Sequence, residues 1–377
     1  MSVKKIAVIG AGNGGHAMAA HKTLDGFEVS LFELPRFENN IRHVLDTGHI
    51  TIEWPSRKET VTVHHVTTDI ATAIKGAEIV FVVVPAFGHK TMAEACAPYV
   101  EDNQIIILMP GSGGSLEFAH IFKAHSVDKD ILLCECCTLP YGARLARPGH
   151  VLIHIEAVTL PTGVFPAHRT DEAIARLQEV YSAIVPTANV LEAAINNPNP
   201  IVHPAATLLS ATRIEYSEGE FYLYKEGMTP AVARVYEALE RERINLLDRL
   251  GLKLYHFAGL EARGYNLGET VEECHNRILN TSMDATFGAD SIKAGIKMKG
   301  PASMYDRFVT EDVPYGLVFL STLGRLLNIA TPISDAIVNL SGAINCVDYW
   351  AQGRGVNELG LGEMNLEQIK IFLSRGQ

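Results

Sequence analysis

The residues best suited to proton chemistry lie in two blocks far apart in the chain. In "NNPNPIVHPAATLLSA", His203 stands at the head of an apolar helical stretch. In "YDRFVTEDVPYGLV", Arg307 and Asp312 precede another helical run. An imidazole gives and takes a proton near neutral pH. A carboxylate beside it holds one tautomer and stabilises the imidazolium. A guanidinium grips a carboxylate with two parallel hydrogen bonds. Each residue also has a plainer reading. A lone histidine on an apolar helix is more often structural, and Arg307 with Asp312 would then be a surface ion pair of little worth. Spacing alone does not decide whether residues so far apart meet.

A second cluster is built for anions. "KKIAVIGAGNGGHAMAA" brings an apolar run, Ile6 to Ile9, into glycines at 10, 12 and 15 and then into a helical pattern. Gly10 permits the tight turn, Gly12 lets a pyrophosphate approach the backbone, and Gly15 lets the helix pack on the strand. The helix start, with Asn13 and Gly14, offers N–H groups and a positive dipole end. A second strand, "FEVSLFE", ends in Glu33, close to the roughly 20 residues expected for the acid that binds the ribose hydroxyls. Glu33 repels a 2′-phosphate, and Arg36 offsets part of that repulsion. The expected cofactor is therefore NADH, with NADPH also possible. Pro85, at the end of "GAEIVFVVVP", joins the candidate cofactor residues. Glycines alone also make ligand-free turns; here the strand, helix and acid all agree.

Composition narrows the class. Of 377 residues, 47% are hydrophobic and 20% charged, so the chain is globular and long enough for two domains. A formal charge of −11 without a basic stripe argues against nucleic acid. No apolar run approaches the roughly 20 residues that cross a bilayer, and "IAVIGAG" does not read as a signal peptide. Six cysteines without a targeting segment fit reduced thiols in a cytoplasm. Three of them share "ILLCECCTLPYG". Cys134 and Cys137 have the spacing of a metal knuckle, but no second pair follows, and a buried strand is the favoured reading. No metal is expected.

The elements that must position these groups change character along the chain. The first half alternates strands and helices. "NQIIILMPGSGG" and "KDILLCECCTLPYGAR" add buried strands, a helical stretch spans Arg36 to Thr47, and "HITIEW" with "ETVTVHHV" reads as a strand pair. This pattern predicts a doubly wound parallel sheet. The segments "VPAFGH", "PGSGG" and "TLPYGAR" lie at strand ends, where such sheets bind ligands. Near Asn189 helical periodicity takes over. "TPAVARVYEALERERINLLDRLG" has Thr229 as N-cap, Pro230 in the first turn and Gly251 as stop. "TPISDAIVNL" repeats the device with Thr331 and Pro332, and Asn365 with Gln368 forms a variant capping box. The expected architecture is an α/β Rossmann domain over 1–190 and an all-α domain over 191–377, with the active site in the cleft between them. Asn189 to Pro200, where regular structure is expected to break, would be the hinge. The long amphipathic helices are compatible with a homodimer.

Several blocks together resemble one family. "GAGNGGHAMA", "VPAFGH", "ILMPGSGGSLEF", "NPIVHPAATLLSA", "YLYKEGMTP", "RFVTEDVPYGLV" and "TPISDAIVNL" closely resemble the octopine/nopaline dehydrogenases, the opine dehydrogenases. The match runs in order from near the N-terminus to about Ala336. It implies a Rossmann domain joined to a helical domain. It also implies an enzyme that condenses an amino acid with a 2-oxo acid, such as pyruvate, and reduces the imine with NADH or NADPH. The family's catalytic pair falls on His203 and Asp312, and its carboxylate-binding arginine on Arg307. Segments 49–65 and 219–224 do not align residue by residue with the family, although the second overlaps the start of "YLYKEGMTP". The second is expected to border the amino-acid pocket, which leaves the substrate side chain open. Two alternatives stand beside this expectation. One is a 2-hydroxy-acid or ketopantoate-type reductase, which usually carries a lysine where this chain has His203. The other is a non-catalytic sensor of NADH.

Overall fold

Uninterrupted isoleucine and valine build the centre of the first unit. The computed structural model describes residues 3–255, 270–274 and 299–376. Contacts divide the chain into Met1–Ala194 with Phe372–Gln377, and Ile195–Ile371. The strands are β1 (Lys5–Ile9), β2 (Glu28–Phe32), β3 (His49–Glu53), β4 (Lys58–Thr62), β5 (His65–Thr67), β6 (Ile79–Val82), β7 (Ile105–Leu108), β8 (Leu132–Cys136), β9 (Tyr141–Arg147), β10 (His150–Glu156), β11 (Leu160–Phe165) and β12 (Ile184–Pro186). The main sheet runs β12-β11-β8-β7-β6-β1-β2-β5. Strands β6 and β7 are buried at every position, as a parallel sheet covered on both faces requires.

The order reverses direction between β1 and β6, which are parallel neighbours. The glycine turn after β1 and the Val83–Pro85 segment after β6 therefore lie side by side at the switch point, where doubly wound sheets hold ligands.

Two features depart from the expected all-parallel sheet. β11 pairs antiparallel with β8. The connection between them is the β9–β10 hairpin rather than a crossover helix, so nothing forces a parallel return. The segment "YGAR", expected as a ligand loop, is the start of β9. Tyr141 and Ala143 are buried there on alternate positions. Gly142 is needed because a Cβ would collide with Ile155. The expected strand pair is β3 and β4, which joins β9 and β10 in a four-stranded sheet ordered β4-β3-β10-β9.

That small sheet packs on the helix Asn13–Leu24. Covered by one sheet on each side, the helix is buried almost all round, and Ala17, Ala19 and Ala20 keep both sheets close. Tyr141 and His21 share a 2.9 Å hydrogen bond across this seam. The cysteine run is β8, and Cys134, Cys136 and Cys137 are buried thiols. Burial pushes the Cys134 and Cys136 thiols well up, which makes them inert packing groups.

Every regular element among the described residues of the second unit is a helix. Its long helix, Pro230–Leu250, has the expected ends: Thr229 Oγ1 accepts from Val232 N, and Gly251 takes a left-handed φ of 74°. Asn365 and Gln368 form the reciprocal box: Asn365 N donates to Gln368 Oε1 at 2.9 Å, and Gln368 N to Asn365 Oδ1 at 3.1 Å. The Pro332–Asn345 helix differs from expectation. Thr331 makes no side-chain cap. Glu242 of the long helix supplies it, accepting from Ile333 N (2.6 Å), Ser334 N (3.0 Å) and Ser334 Oγ (2.6 Å). Asn189 to Pro200 is also more regular than expected. Helices cover Val190–Ile195 and start again at Asn199.

His16, fully buried on the glycine helix, links this packing to pH. Its Nδ1–H donates to Gly12 O at 3.2 Å, and its Nε2 has no partner among the described residues. Desolvation holds its pKa below the ordinary 6.5. The unfolded chain thus binds a proton that the folded chain refuses, so stability is full above that value and falls as pH drops below it. Urea midpoints measured at about pH 7.5 and about pH 5.5 should show a smaller drop for His16→Leu than for the unmutated chain.

Candidate functional site

Sterics fix the glycine turn. Gly10 has a φ of 99°, and a Cβ there would collide with Val84 and the Val83 carbonyl. A Cβ on Gly15 would overlap the Gly10 carbonyl oxygen. Gly14 sits against Val83, with only 2.9 Å from an added Cβ to Cγ1. Gly12 is different in kind: nothing lies within 4 Å of the Cβ it lacks. The helix that follows has no side-chain cap and no acid in its first turn. Open space and uncapped N–H groups coincide there, which fits a pyrophosphate. Asn13 has a further duty, because its Oδ1 accepts from Leu145 N at 2.9 Å and so ties β9 to the turn.

Glu33 is nearly buried at the end of β2. Its Oε2 accepts from Ala11 N at 3.1 Å and its Oε1 from Leu34 N at 2.9 Å. The carboxylate is thus locked to the turn itself, with lone pairs left for a ribose diol. Arg36 is exposed, its guanidinium 5.0 Å from the Phe37 ring centre. Pro85 accepts from Gly88 N at 2.8 Å, closing the turn beside Gly10. These residues fit a dinucleotide. The second glycine-rich turn does not act alike. Glu135, fully buried on β8, accepts from Gly113 N (2.9 Å), Ser115 N (3.0 Å) and Ser115 Oγ (2.5 Å). "PGSGG", expected as a ligand loop, has its helix start filled by this carboxylate.

In the helical unit the structure brings His203 and Asp312 together. His203 lies on the Asn199–Leu209 helix, and its Nδ1–H donates to Asp312 Oδ2 at 2.8 Å. Both side chains are about one-tenth exposed, at 12% and 11%. A carboxylate accepts only, so Nδ1 carries the proton and Nε2 is the nitrogen left to accept one. Asp312 begins a π-turn, Val313–Leu317, that leads into the Val318–Leu327 helix. Such turns recur at functional sites. Gly316 of that turn abuts Pro200, and any Cβ there would collide with the proline ring. The glycine in "VPYGL" therefore lets Asp312 approach the histidine helix. Tyr236, on the long helix, donates to Val202 O at 2.8 Å and pins the backbone beside His203. Burial pushes its hydroxyl pKa well up, so it stays a donor.

Two groups at this site were not read from the sequence. Phe308 stacks on the His203 ring at 3.8 Å and 7°. Tyr224 OH lies 3.0 Å from His203 Nε2. Phe308 sits in a matched block, and an aromatic residue beside a candidate arginine was its only signal. Tyr224 lies at the start of the "YLYKEGMTP" block, within the 219–224 segment that does not align residue by residue with the family. Arg307 is not paired with Asp312. Its Nε donates to Glu311 Oε2 at 2.6 Å, with a second contact from the same guanidinium at 2.5 Å, and its side chain stays 57% exposed. The partner one helical turn away is the acid that geometry favours.

Among the described residues no group of three His, Cys, Asp or Glu can hold a metal, and no helix is long and apolar enough to cross a membrane. A dinucleotide-binding sheet in one unit and a histidine–aspartate pair in a helical unit are the features of a nicotinamide-dependent oxidoreductase. Residues 186–345 match the family model "NAD/NADP octopine/nopaline dehydrogenase, alpha-helical domain". Residues 5–113 match "NAD-dependent glycerol-3-phosphate dehydrogenase N-terminus". The chain is 32% identical to an opine dehydrogenase of Arthrobacter sp. (strain 1C) over 97% of this chain and 98% of the relative. An octopine dehydrogenase solved with NADH and L-arginine superposes with a TM-score of 0.73 at 20% identity, covering 99% of this chain and 98% of that one. A yersinopine dehydrogenase with NADP+ bound gives 0.72 at 16%, covering 100% and 99%. This chain belongs to the opine dehydrogenase family, NAD(P)-dependent oxidoreductases that act on CH–NH groups.

The glycine turn separates binding from folding. Gly12→Ala should melt like the unmutated chain yet bind NADH about tenfold more weakly or worse, a loss of ~1.4 kcal/mol. Gly15→Ala should instead lower stability by about 1–3 kcal/mol or more through overpacking. Thermal melts and NADH fluorescence titrations of both variants check the contrast.

Proposed function

We propose that this chain catalyses the reductive condensation of an amino acid with a 2-oxo acid such as pyruvate, and the reverse oxidation. The product is a secondary amine dicarboxylate. The observation that carries this reading is the His203–Asp312 pair, 2.8 Å apart in the helical unit of an opine dehydrogenase family chain. The amine and the ketone condense to an imine, and a protonated imine accepts hydride better than a ketone does. The bound nicotinamide supplies the hydride. His203 moves the proton that dehydration of the carbinolamine consumes. Asp312 holds the tautomer and offsets the imidazolium charge. Arg307, fixed by Glu311, holds the carboxylate of the 2-oxo acid through the rest of its fork. Gly10, Gly12, Asn13, Gly14 and Gly15 hold the pyrophosphate, Glu33 the ribose, and Arg36 and Pro85 border the nucleotide.

NADH is the proposed preference. Two backbone N–H groups lock the Glu33 carboxylate, so it does not swing away from a 2′-phosphate. A homodimer and a cytoplasmic location complete the proposal; the location is supported by six free thiols.

Cofactor oxidation tests the reaction. The purified protein should oxidise NADH with a 2-oxo acid only when amino acids are also present. Equal oxidation with the 2-oxo acid alone would make it a ketone reductase, and none with any mixture would favour a sensor. kcat/KM should be higher with NADH than with NADPH at matched conditions; the opposite order overturns the Glu33 argument.

Removing the acid–base group tests the site. His203→Ala should keep its fold and NADH binding, melting lower because Asp312 loses its partner, while turnover of the folded protein falls by roughly 10²–10⁴-fold. Asp312→Asn should also be slow, and in the double variant the two losses should overlap rather than sum. Near-native turnover in a folded His203→Ala protein refutes the assignment.

A further inference from the structure

The hydrogen bonds around His203 leave its working nitrogen already engaged. Nδ1 is committed to Asp312, so only Nε2 exchanges a proton with substrate. That nitrogen bonds the Tyr224 hydroxyl at 3.0 Å. Phe308 lies flat on the imidazole at 3.8 Å, so the ring cannot turn to offer Nε2 elsewhere without leaving both Asp312 and the stack. His203 is largely covered, with 12% of its side chain exposed, whereas Tyr224 is only half-buried.

The phenol is placed rather than loose. It rides on the one-turn helix Leu223–Glu226. Glu226 Oε1 accepts from Tyr222 N at 3.1 Å, and Oε2 accepts from Arg213 Nε at 2.9 Å. Just upstream, Gly300 N donates to Phe221 O at 2.8 Å. The segment is thus fastened at both ends with its hydroxyl aimed at His203.

We propose that Tyr224 is a catalytic residue whose hydroxyl relays the proton between His203 Nε2 and the reacting substrate. This rests on the reading of His203 as the acid–base group. A hydroxyl donates one proton while accepting another, so it passes a proton on without becoming a phenolate. In the condensing direction the carbinolamine C–O bond breaks and the nitrogen lone pair forms the C=N bond. The Tyr224 proton goes to the departing hydroxyl, which leaves as water. The Nε2 proton of the imidazolium replaces it on the phenol oxygen, leaving a neutral imidazole hydrogen-bonded to Asp312. The charge now rests on the iminium, and hydride addition from the reduced nicotinamide neutralises it. In the oxidative direction the same protons run backwards.

Tyr224→Phe tests this, because it keeps the ring and removes only the hydroxyl. The variant should melt normally and bind NADH normally. In single turnovers its rate of NADH oxidation should fall about 10²-fold, with KM for the 2-oxo acid within about threefold. Mixed H2O–D2O measurements should show two protons in flight in the unmutated enzyme and one in the variant. The His203→Ala, Tyr224→Phe double variant should be about as slow as His203→Ala alone. A Tyr224→Phe protein that turns over at the native rate or faster would show that the phenol is a gate, and so would overturn the relay. A slowed variant with an unchanged proton inventory would reduce Tyr224 to a structural role and overturn it as well. Failure of the underlying reading looks different: folded His203→Ala would then be fast, whatever Tyr224→Phe does.

Discussion

The hydrogen bond from His203 Nδ1 to Asp312 Oδ2 is the constraint that the helical unit is built around. A carboxylate and an imidazole that are both mostly covered need each other, because an unpaired buried polar group is costly. Bringing them together takes several devices at once. The histidine helix is pinned by Tyr236 at Val202 O. The chain bearing Asp312 leaves regular α-helix for a π-turn, and that turn closes on Pro200 only because residue 316 is glycine. Phe308 then fills the face of the ring. Each device is local and weak, but together they leave the imidazole one orientation and one free task.

Helix N-termini tell a parallel story about the anion site. The starts at Gly114 and Pro332 receive carboxylates from elsewhere in their own units, Glu135 and Glu242. The start at Asn13 receives none. All three present the same dipole end and N–H groups that the helix itself cannot satisfy. Of these three starts, the one left without a carboxylate is the one beside an open Gly12. Glu33 contributes by holding Ala11 N from the neighbouring strand end, so the turn is shaped before any nucleotide arrives.

Legibility followed how local the determining physics is. The glycine turn, the buried strands, the Thr229 and Asn365 caps and the strand pair β3–β4 are decided within a few residues, and pattern alone shows them. The antiparallel β11 and the hairpin that causes it were missed because "YGARLARPGHVLIHIE" follows a buried strand without a break that marks a new sheet. The cap at Pro332 was misassigned for the same reason in reverse: Thr331 satisfies the local rule, but Glu242, distant in sequence, makes the stronger charged bond. At the candidate site, residue types and family blocks pointed to His203, Asp312 and Arg307. Tyr224 lies in a matched block that assigns it no role, since its meaning lies in where a one-turn helix places it.

Arg307, the proposed carboxylate-binding residue, shows how a partner alters such a group. Glu311 takes Nε and one further donor of its guanidinium, so the pair is close to neutral before substrate arrives. A half-exposed neutral pair attracts an anion weakly at long range. What it retains is direction: the rest of a planar fork, held still by an acid one turn away on the same helix. A 2-oxo acid binding there would gain aligned hydrogen bonds more than net charge, and alignment is what a condensation of two substrates needs most. Glu311 would then be as much a part of carboxylate recognition as the arginine it holds.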